Sequence, residues 1–559
     1  MNELTRRQWL KWMALLSGSA AMPSYASEGP LTLKEDDVAE HFAPRLQAGS
    51  HVKIYIPNLP YIYTSHAINV GLIRPANNQQ GWEYELATDI RQVSETAYDV
   101  TLREGIKFQD GTPFTAQSVV RNILAFRQSP FLFSKLHETL LSATALDEQR
   151  VRIYLSQRYG QFMNDLLWLH FYTDTYLEKF GWNGKATCPN LAEAGPYGLG
   201  PYQLIEGYVE GDRQTKEVML KANPYYWRPN EPNIERITIY TELDSQAAIN
   251  QVQAQEGQLD IAPIPFHDKV QTMRSPHSKV VSASSNNNFA IHLNLRNGHP
   301  RLQEQAVRVA LNKAIHQANL LSFVYMDEGQ AKATNASPNF PRIAELSTSL
   351  KPYSEVSNPY DPEQQAALKQ ILDGITLKVY SQRSFLWLWR GIAYQLGRVG
   401  VTLDIELTDS EKDIFAQLLT TNQKQNTKDW DLLIWSMDDW YFNHPWSVFV
   451  AYRTTSVWST IMPDARLDGY IDALFAESVG SDAYLALSRQ IMTHVYDQGY
   501  MLFVPAPNQV LATNKEVHYV PYPMATSPLW ELKISRYHWS VREGALPPSR
   551  TAPLQIQRV

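Results

Sequence analysis

Apolar and polar residues alternate over His51-Val-Lys-Ile-Tyr-Ile56, which predicts a strand that the prolines at 57 and 60 end. The same period of two returns in Tyr98-Asp-Val-Thr-Leu102, where Val100 and Leu102 share a face. Asp110-Gly111-Thr112-Pro113 then supplies turn chemistry. Thr115 stands where its side-chain oxygen can accept from the first amides of a helix carrying Val119, Val120 and Ile123. Strand patterns follow at Glu148–Leu155, Ile234–Tyr240, Phe289–Asn294, Leu377–Tyr380, Val401–Leu407 and Asp431–Trp435. Between them, helical spacing marks Val307–Ile315, Pro359–Leu368 with Pro362 in its first turn, and Leu386–Leu396. This alternation predicts an α/β protein. The glycine- and proline-rich bend from Gly195 to Pro201 is a candidate domain crossing.

Length extends this to several cores. A chain of 559 residues, 44% of them apolar, can divide into two or three domains. Its 15 Trp and 30 Tyr include ordinary core residues, but such rings also build stacking walls in ligand clefts.

The amino-terminal residues predict export. Thr5-Arg6-Arg7-Gln8-Trp9-Leu10-Lys11 resembles a twin-arginine motif, an apolar stretch runs from Trp12 to Ala21, and Ser24-Tyr25-Ala26 is a small-x-small cleavage site. The apolar stretch is shorter than the roughly 20 residues a spanning helix needs. A mature chain starting near Ser27 is therefore expected to be soluble outside the cytoplasm. The one cysteine, Cys188, lies far from this signal, so no lipid-attachment cysteine follows it and no internal disulfide can form. Retention without an anchor points to the periplasm of a Gram-negative bacterium. The formal charge is −7, and residues 27–559 keep 47 basic and 56 acidic residues, or −9. An acidic chain of this kind has no electrostatic footprint for nucleic acid.

The segment Tyr98–Val120, with its glycines, proline and aromatics in order, closely resembles the hallmark of the family 5 extracellular solute-binding proteins. Further stretches resemble the same family: Gly198-Leu-Gly-Pro-Tyr202, Leu220-Lys-Ala-Asn-Pro-Tyr-Tyr-Trp227, Ile234–Tyr240, Gly257-Gln-Leu-Asp260, Phe289–Asn294 and Val307–Ile315. The resemblance covers about residues 80–535. Residues 27–79 depart from it: in place of the family's early Asp-Pro pair stands Ile56-Pro57-Asn58-Leu59-Pro60.

The resemblance implies a two-lobed periplasmic-binding-protein fold of type II, with an inserted subdomain and a hinged cleft. On that plan, residues 1–26 are the signal peptide and the first lobe takes 27–62, 198–285 and 501–535. The inserted subdomain takes 63–197, the second lobe 286–500, and 536–559 form a loosely held tail. The family's members capture peptides, nickel chelates or oligosaccharides for ABC importers, which makes the membrane permease the expected partner of a monomeric receptor.

In peptide-binding members, a Trp followed three residues later by an Asp lies after a second-lobe strand, and the Asp receives the ligand's α-ammonium group. Trp435-Ser-Met-Asp438-Asp439-Trp440 matches that spacing at Asp438. The sequence then departs, stretching to Tyr441-Phe-Asn-His444-Pro445 and adding the carboxylate of Asp439. Trp387, Trp389, Trp435 and Trp440 are candidate cleft walls. Trp387 and Trp389 are two apart on a helix, so at most one of them faces the cleft. Arg390 could hold a ligand carboxylate in a two-pronged bond. Tyr61 and Tyr63 follow the first strand, where the first lobe should reach the cleft. His444 keeps a metal-chelate ligand open, and the tryptophans an oligosaccharide.

No cofactor and no catalytic motif is read from the chain. No Gly-x-Ser-x-Gly elbow, His-Glu-x-x-His pair or phosphate-binding Gly-x-x-x-x-Gly-Lys loop occurs. Adjacent Asp438 and Asp439 lack the separation that glycoside hydrolysis needs. A binding protein is expected rather than an enzyme. The other class left open is a small-molecule sensor like the binding module of fused transcriptional regulators.

Overall fold

The computed structural model describes residues 46–559 apart from 58–59, 130–135, 183–189, 192, 211–212, 341–349, 438–444, 446–448, 450 and 555. Three sheets of four or more strands organise the described residues into a two-lobed α/β fold. The first lobe holds eight strands, in the spatial order Gln557–Arg558, Ser278–Ala283, Gln509–Asn514, Ile261–Pro263, Gln47–Tyr55, Ile234–Tyr240, Glu217–Ala222 and Tyr202–Glu206. Its centre is parallel: Val52 pairs with Ile237 and Ile54 with both Ile239 and Ile261. Those residues are all but fully buried, as expected of a parallel sheet covered on both faces.

The insert carries an antiparallel sheet, Ala87–Ser94, Ala97–Leu102, Arg150–Leu155 and Leu140–Ala145, with the helix Ala116–Arg127 against it. Its hallmark segment forms the expected strand, turn and helix. Thr112 N donates to Asp110 Oδ1 at 2.8 Å, and Gly111 takes φ 86°, the left-handed region that glycine enters without strain. At the helix start the bond found runs from Thr115 N to Ser118 Oγ, 3.3 Å. The segment also stitches insert to first lobe. Gln109, 4% exposed, donates from its backbone to Gly198 O and accepts from Gly198 N at its Oε1, both at 3.0 Å. Its Nε2 reaches Tyr202 O at 2.7 Å and Ile68 O at 3.2 Å.

The second lobe is a five-stranded sheet in the order Thr402–Thr408, Thr376–Gln382, Leu432–Met437, Asn288–Leu293 and Met501–Leu502. Pro362 opens the helix Pro362–Leu372, and Asp361 caps it by accepting from Glu363 and Gln364 N. The short strand Met501–Leu502 pairs with Asn288–Leu293, so the return to the first lobe comes after residue 502 rather than at 501.

The segment 536–559, expected to be a loosely held tail, is pinned to the first lobe instead. His538 and Trp539 donate to the fully buried Asp260. Arg542 pairs with Glu256, Arg550 with Glu516 and Arg558 with Glu328. Gln557–Arg558 adds a parallel strand beside Ser278–Ala283. The arginines that made this segment look solvated are the partners of acids placed far away in sequence.

Candidate functional site at the facing sheet edges

In open α/β sheets, ligands bind beyond the carboxyl ends of the parallel strands. In the second lobe, Thr376–Gln382 and Leu432–Met437 run parallel, so Gln382 and Met437 end on one edge. The antiparallel strand Asn288–Leu293 starts there, with Asn288 opposite Met437. This edge adjoins residues 284–287, which join the two sheets.

The sequence-predicted residues distribute unevenly over this edge. Trp387 and Arg390 lie on the helix Leu386–Gly397, directly after the strand ending at Gln382. Trp387 is 48% exposed, with the Arg390 guanidinium 4.9 Å from its ring centroid. Together they form an aromatic and cationic ledge. Trp389, two residues on, is fully buried. Asp438, Asp439, Trp440 and His444 lie outside the described residues, as does Cys188.

Trp435 corrects an expectation. It is 2% exposed, stacked on Trp458 at 5.0 Å and 15° and meeting Phe415 edge-on at 5.0 Å. A ring enclosed in this way is core rather than cleft wall. Its contribution is to hold the strand that leads into Asp438. Alternation along that strand cannot reveal this, because Trp suits both environments.

In the first lobe, Tyr55 and Tyr240 end their parallel strands at paired positions. The helix Pro60–Ile68 follows and carries Tyr61 and Tyr63, both half-buried against the core. Tyr63 O accepts from Ser527 N at 2.9 Å. Nearby in sequence, Pro523 O accepts from Asn286 N at 2.8 Å. Ser285 O in turn receives Ser337 Oγ at 3.1 Å and Asn339 Nδ2 at 2.6 Å. The crossing residues Ser285 and Asn286 are thus gripped by the first lobe through 523–527 and by the segment 337–339 on the other side.

Sequence reasoning passed over Lys332 and His292. Lys332, 2% exposed, donates to Phe289 O at 2.7 Å beside this edge, and burial pushes its ammonium pKa down to about 7. His292, three residues further along the same strand, is lowered to about 4 by burial and by the charge of Lys332. The Phe289 ring meets Phe385 edge-on at 5.1 Å, closing the gap between the strand and the ledge. A lone lysine in a polar stretch gives no sequence signal of such burial. Among the described residues no group of three His, Cys, Asp or Glu could hold a metal ion, and no helix is long and apolar enough to cross a membrane.

A model of the bacterial extracellular solute-binding proteins, family 5 Middle, matches residues 82–459. The chain belongs to this family. It is 28% identical over 326 residues to the glutathione-binding protein GsiB of Shigella flexneri, covering 56% of this chain and 58% of that protein. Among solved structures, NikA from Brucella suis in complex with Fe(III)-EDTA superposes with a TM-score of 0.72 at 18% identity, over 87% of this chain and 100% of that one. The oligopeptide-binding protein AppA from Bacillus subtilis, in complex with a nonapeptide, gives 0.68 at 18% identity over 88% and 100%. These likenesses establish the two-lobed fold. The family is one of binding proteins.

Proposed function

We propose that this chain is the periplasmic receptor of an ABC import system and captures a short peptide by closing its two lobes. The observation that carries this reading is the end of the strand Leu432–Met437 at the carboxyl edge of the second-lobe sheet, immediately before Asp438. Closure would be driven by contacts that a ligand makes to both lobes only when they meet. Asp438 receives the peptide's α-ammonium group, Arg390 offers a partner for a carboxylate, and Trp387 gives the chain between them a ring to lie on. The similarity to a glutathione-binding protein makes glutathione, a tripeptide with one ammonium and two carboxylates, the first probe.

Export by the twin-arginine pathway, a monomeric state and docking to membrane permease subunits complete the reading. A charge-assisted bond to Asp438 contributes roughly 1.5–3 kcal/mol. Titration calorimetry with glutathione and with di- and tripeptides is expected to show at least a tenfold loss of affinity in Asp438→Ala. Unchanged affinity in that variant would remove Asp438 from the site. Loss of export in Arg6→Lys, Arg7→Lys supports the receptor over a cytoplasmic sensor, and an unaffected cytoplasmic pool favours the sensor.

A further inference from the structure

The loop leaving the strand Arg150–Leu155 of the insert touches the second lobe backbone to backbone. Gly160 N donates to Phe475 O at 3.2 Å, and Gln161 Nε2 donates to Leu474 O at 3.3 Å. The Tyr159 ring lies 5.0 Å from that of Phe475, and Arg158 faces Glu477 at 3.7 Å. A Cβ placed on Gly160 would stand 1.8 Å from Glu477 O and 2.3 Å from its carbonyl carbon. No side chain fits in that space, and the obstacle is backbone, which cannot rotate away.

Both sides of the contact are firmly held. On the insert, Ser156 N bonds to Thr139 O, and Phe162 stacks on Tyr98 at 4.1 Å. On the second lobe, Leu474 and Phe475 end the helix Ala465–Ala476, which packs along Asp482–Gln498. The cap of that helix, Asp464, accepts from His494 Nε2 and Tyr500 Oη. A contact between the insert and the second lobe can exist in one relative placement of the lobes and not in another.

We propose that Tyr159–Gln161 and Leu474–Glu477 form a latch that holds insert and second lobe together in the closed state, with Gly160 as its required element. The latch uses no ligand atom, so it biases the empty receptor towards closure and lowers what the ligand itself must supply. Gly160 is not in the left-handed region. The three atoms nearest to a Cβ there all belong to Glu477, so an alanine acts first across this contact.

The test uses the mature protein with Cys188→Ser, Arg158→Cys and Glu477→Cys, treated with a short bis-maleimide in the absence of ligand. Cross-linking is expected, and adding Gly160→Ala is expected to slow it about tenfold with the melting temperature unchanged. Failure of the parent pair to cross-link, or an equal rate with Gly160→Ala, would overturn the latch. Should Gly160→Ala lower the melting temperature, Phe475→Ala replaces it: slower cross-linking supports the latch, and an unchanged rate overturns it.

Discussion

Arg558 and Glu328 form a two-pronged ion pair, with Nη1 3.0 Å from Oε2 and Nη2 3.1 Å from Oε1. Glu328 is fully buried and also receives Lys269 Nζ at 2.7 Å, Ser282 Oγ at 2.5 Å and Asn508 Nδ2 at 3.1 Å. Burial alone would raise its carboxyl pKa, but these donors outweigh burial and hold it below the ordinary value. The group joins the returning crossing segment to the first lobe. Glu328→Gln is expected to cost about 3–5 kcal/mol, because it leaves the nearly buried Lys269 without its counter-charge. Arg558→Ala, acting on a half-exposed partner, is expected to cost about 1 kcal/mol. Urea denaturation of both variants checks the order, and an Arg558→Ala loss as large as that of Glu328→Gln would contradict it.

Acid should weaken the fold through its buried histidines. Burial lowers His66 to about 3, and His170, its ring 4.9 Å away, falls well below the ordinary value through burial and the His66 charge. His292 is lowered to about 4. Unfolded histidine takes up its proton near 6.5, so between that pH and the folded values the unfolded chain binds more protons. Stability therefore falls as the pH drops below 6.5, by about 1.4 kcal/mol per unit for each such histidine. His170 is 1% exposed. His170→Phe is thus expected to flatten the dependence between pH 6 and pH 4 by about one proton. An unchanged slope would show that His170 is protonated in the folded protein.

Gln109 gives a contrasting expectation, since it lies in the most diagnostic motif yet binds only protein. Its amide spans Gly198, Tyr202 and Ile68. Gln109→Ala leaves buried backbone groups without partners and is expected to cost about 2–3 kcal/mol. Ligand affinity should stay within about twofold at a temperature where the variant is folded. A tenfold loss there would place the motif in the site.

Much of the fold was legible because its signals are local. Alternation at His51–Ile56 became the strand Gln47–Tyr55, and Asp361-Pro362 became a capped helix start. The offset of Trp387 and Trp389 put the two rings on different faces, and one is exposed while the other is buried. What escaped depends on distant partners. Arg542, Arg550 and Arg558 read as solvent-facing until Glu256, Glu516 and Glu328 are seen beside them. Trp435 sits at the spacing expected of a cleft residue, yet Phe415 and Trp458 enclose it from other elements. Lys332 is buried by tertiary packing that leaves no trace in its own neighbourhood.

The central claim is peptide capture, and native mass spectrometry of the mature protein, purified from its own periplasm without refolding, tests it most directly. The account predicts added masses that resolve into glutathione or short peptides and that are lost in Asp438→Ala. A bound sugar or metal-chelate mass, or a bare protein that stays bare when glutathione and tripeptides are added, would contradict it.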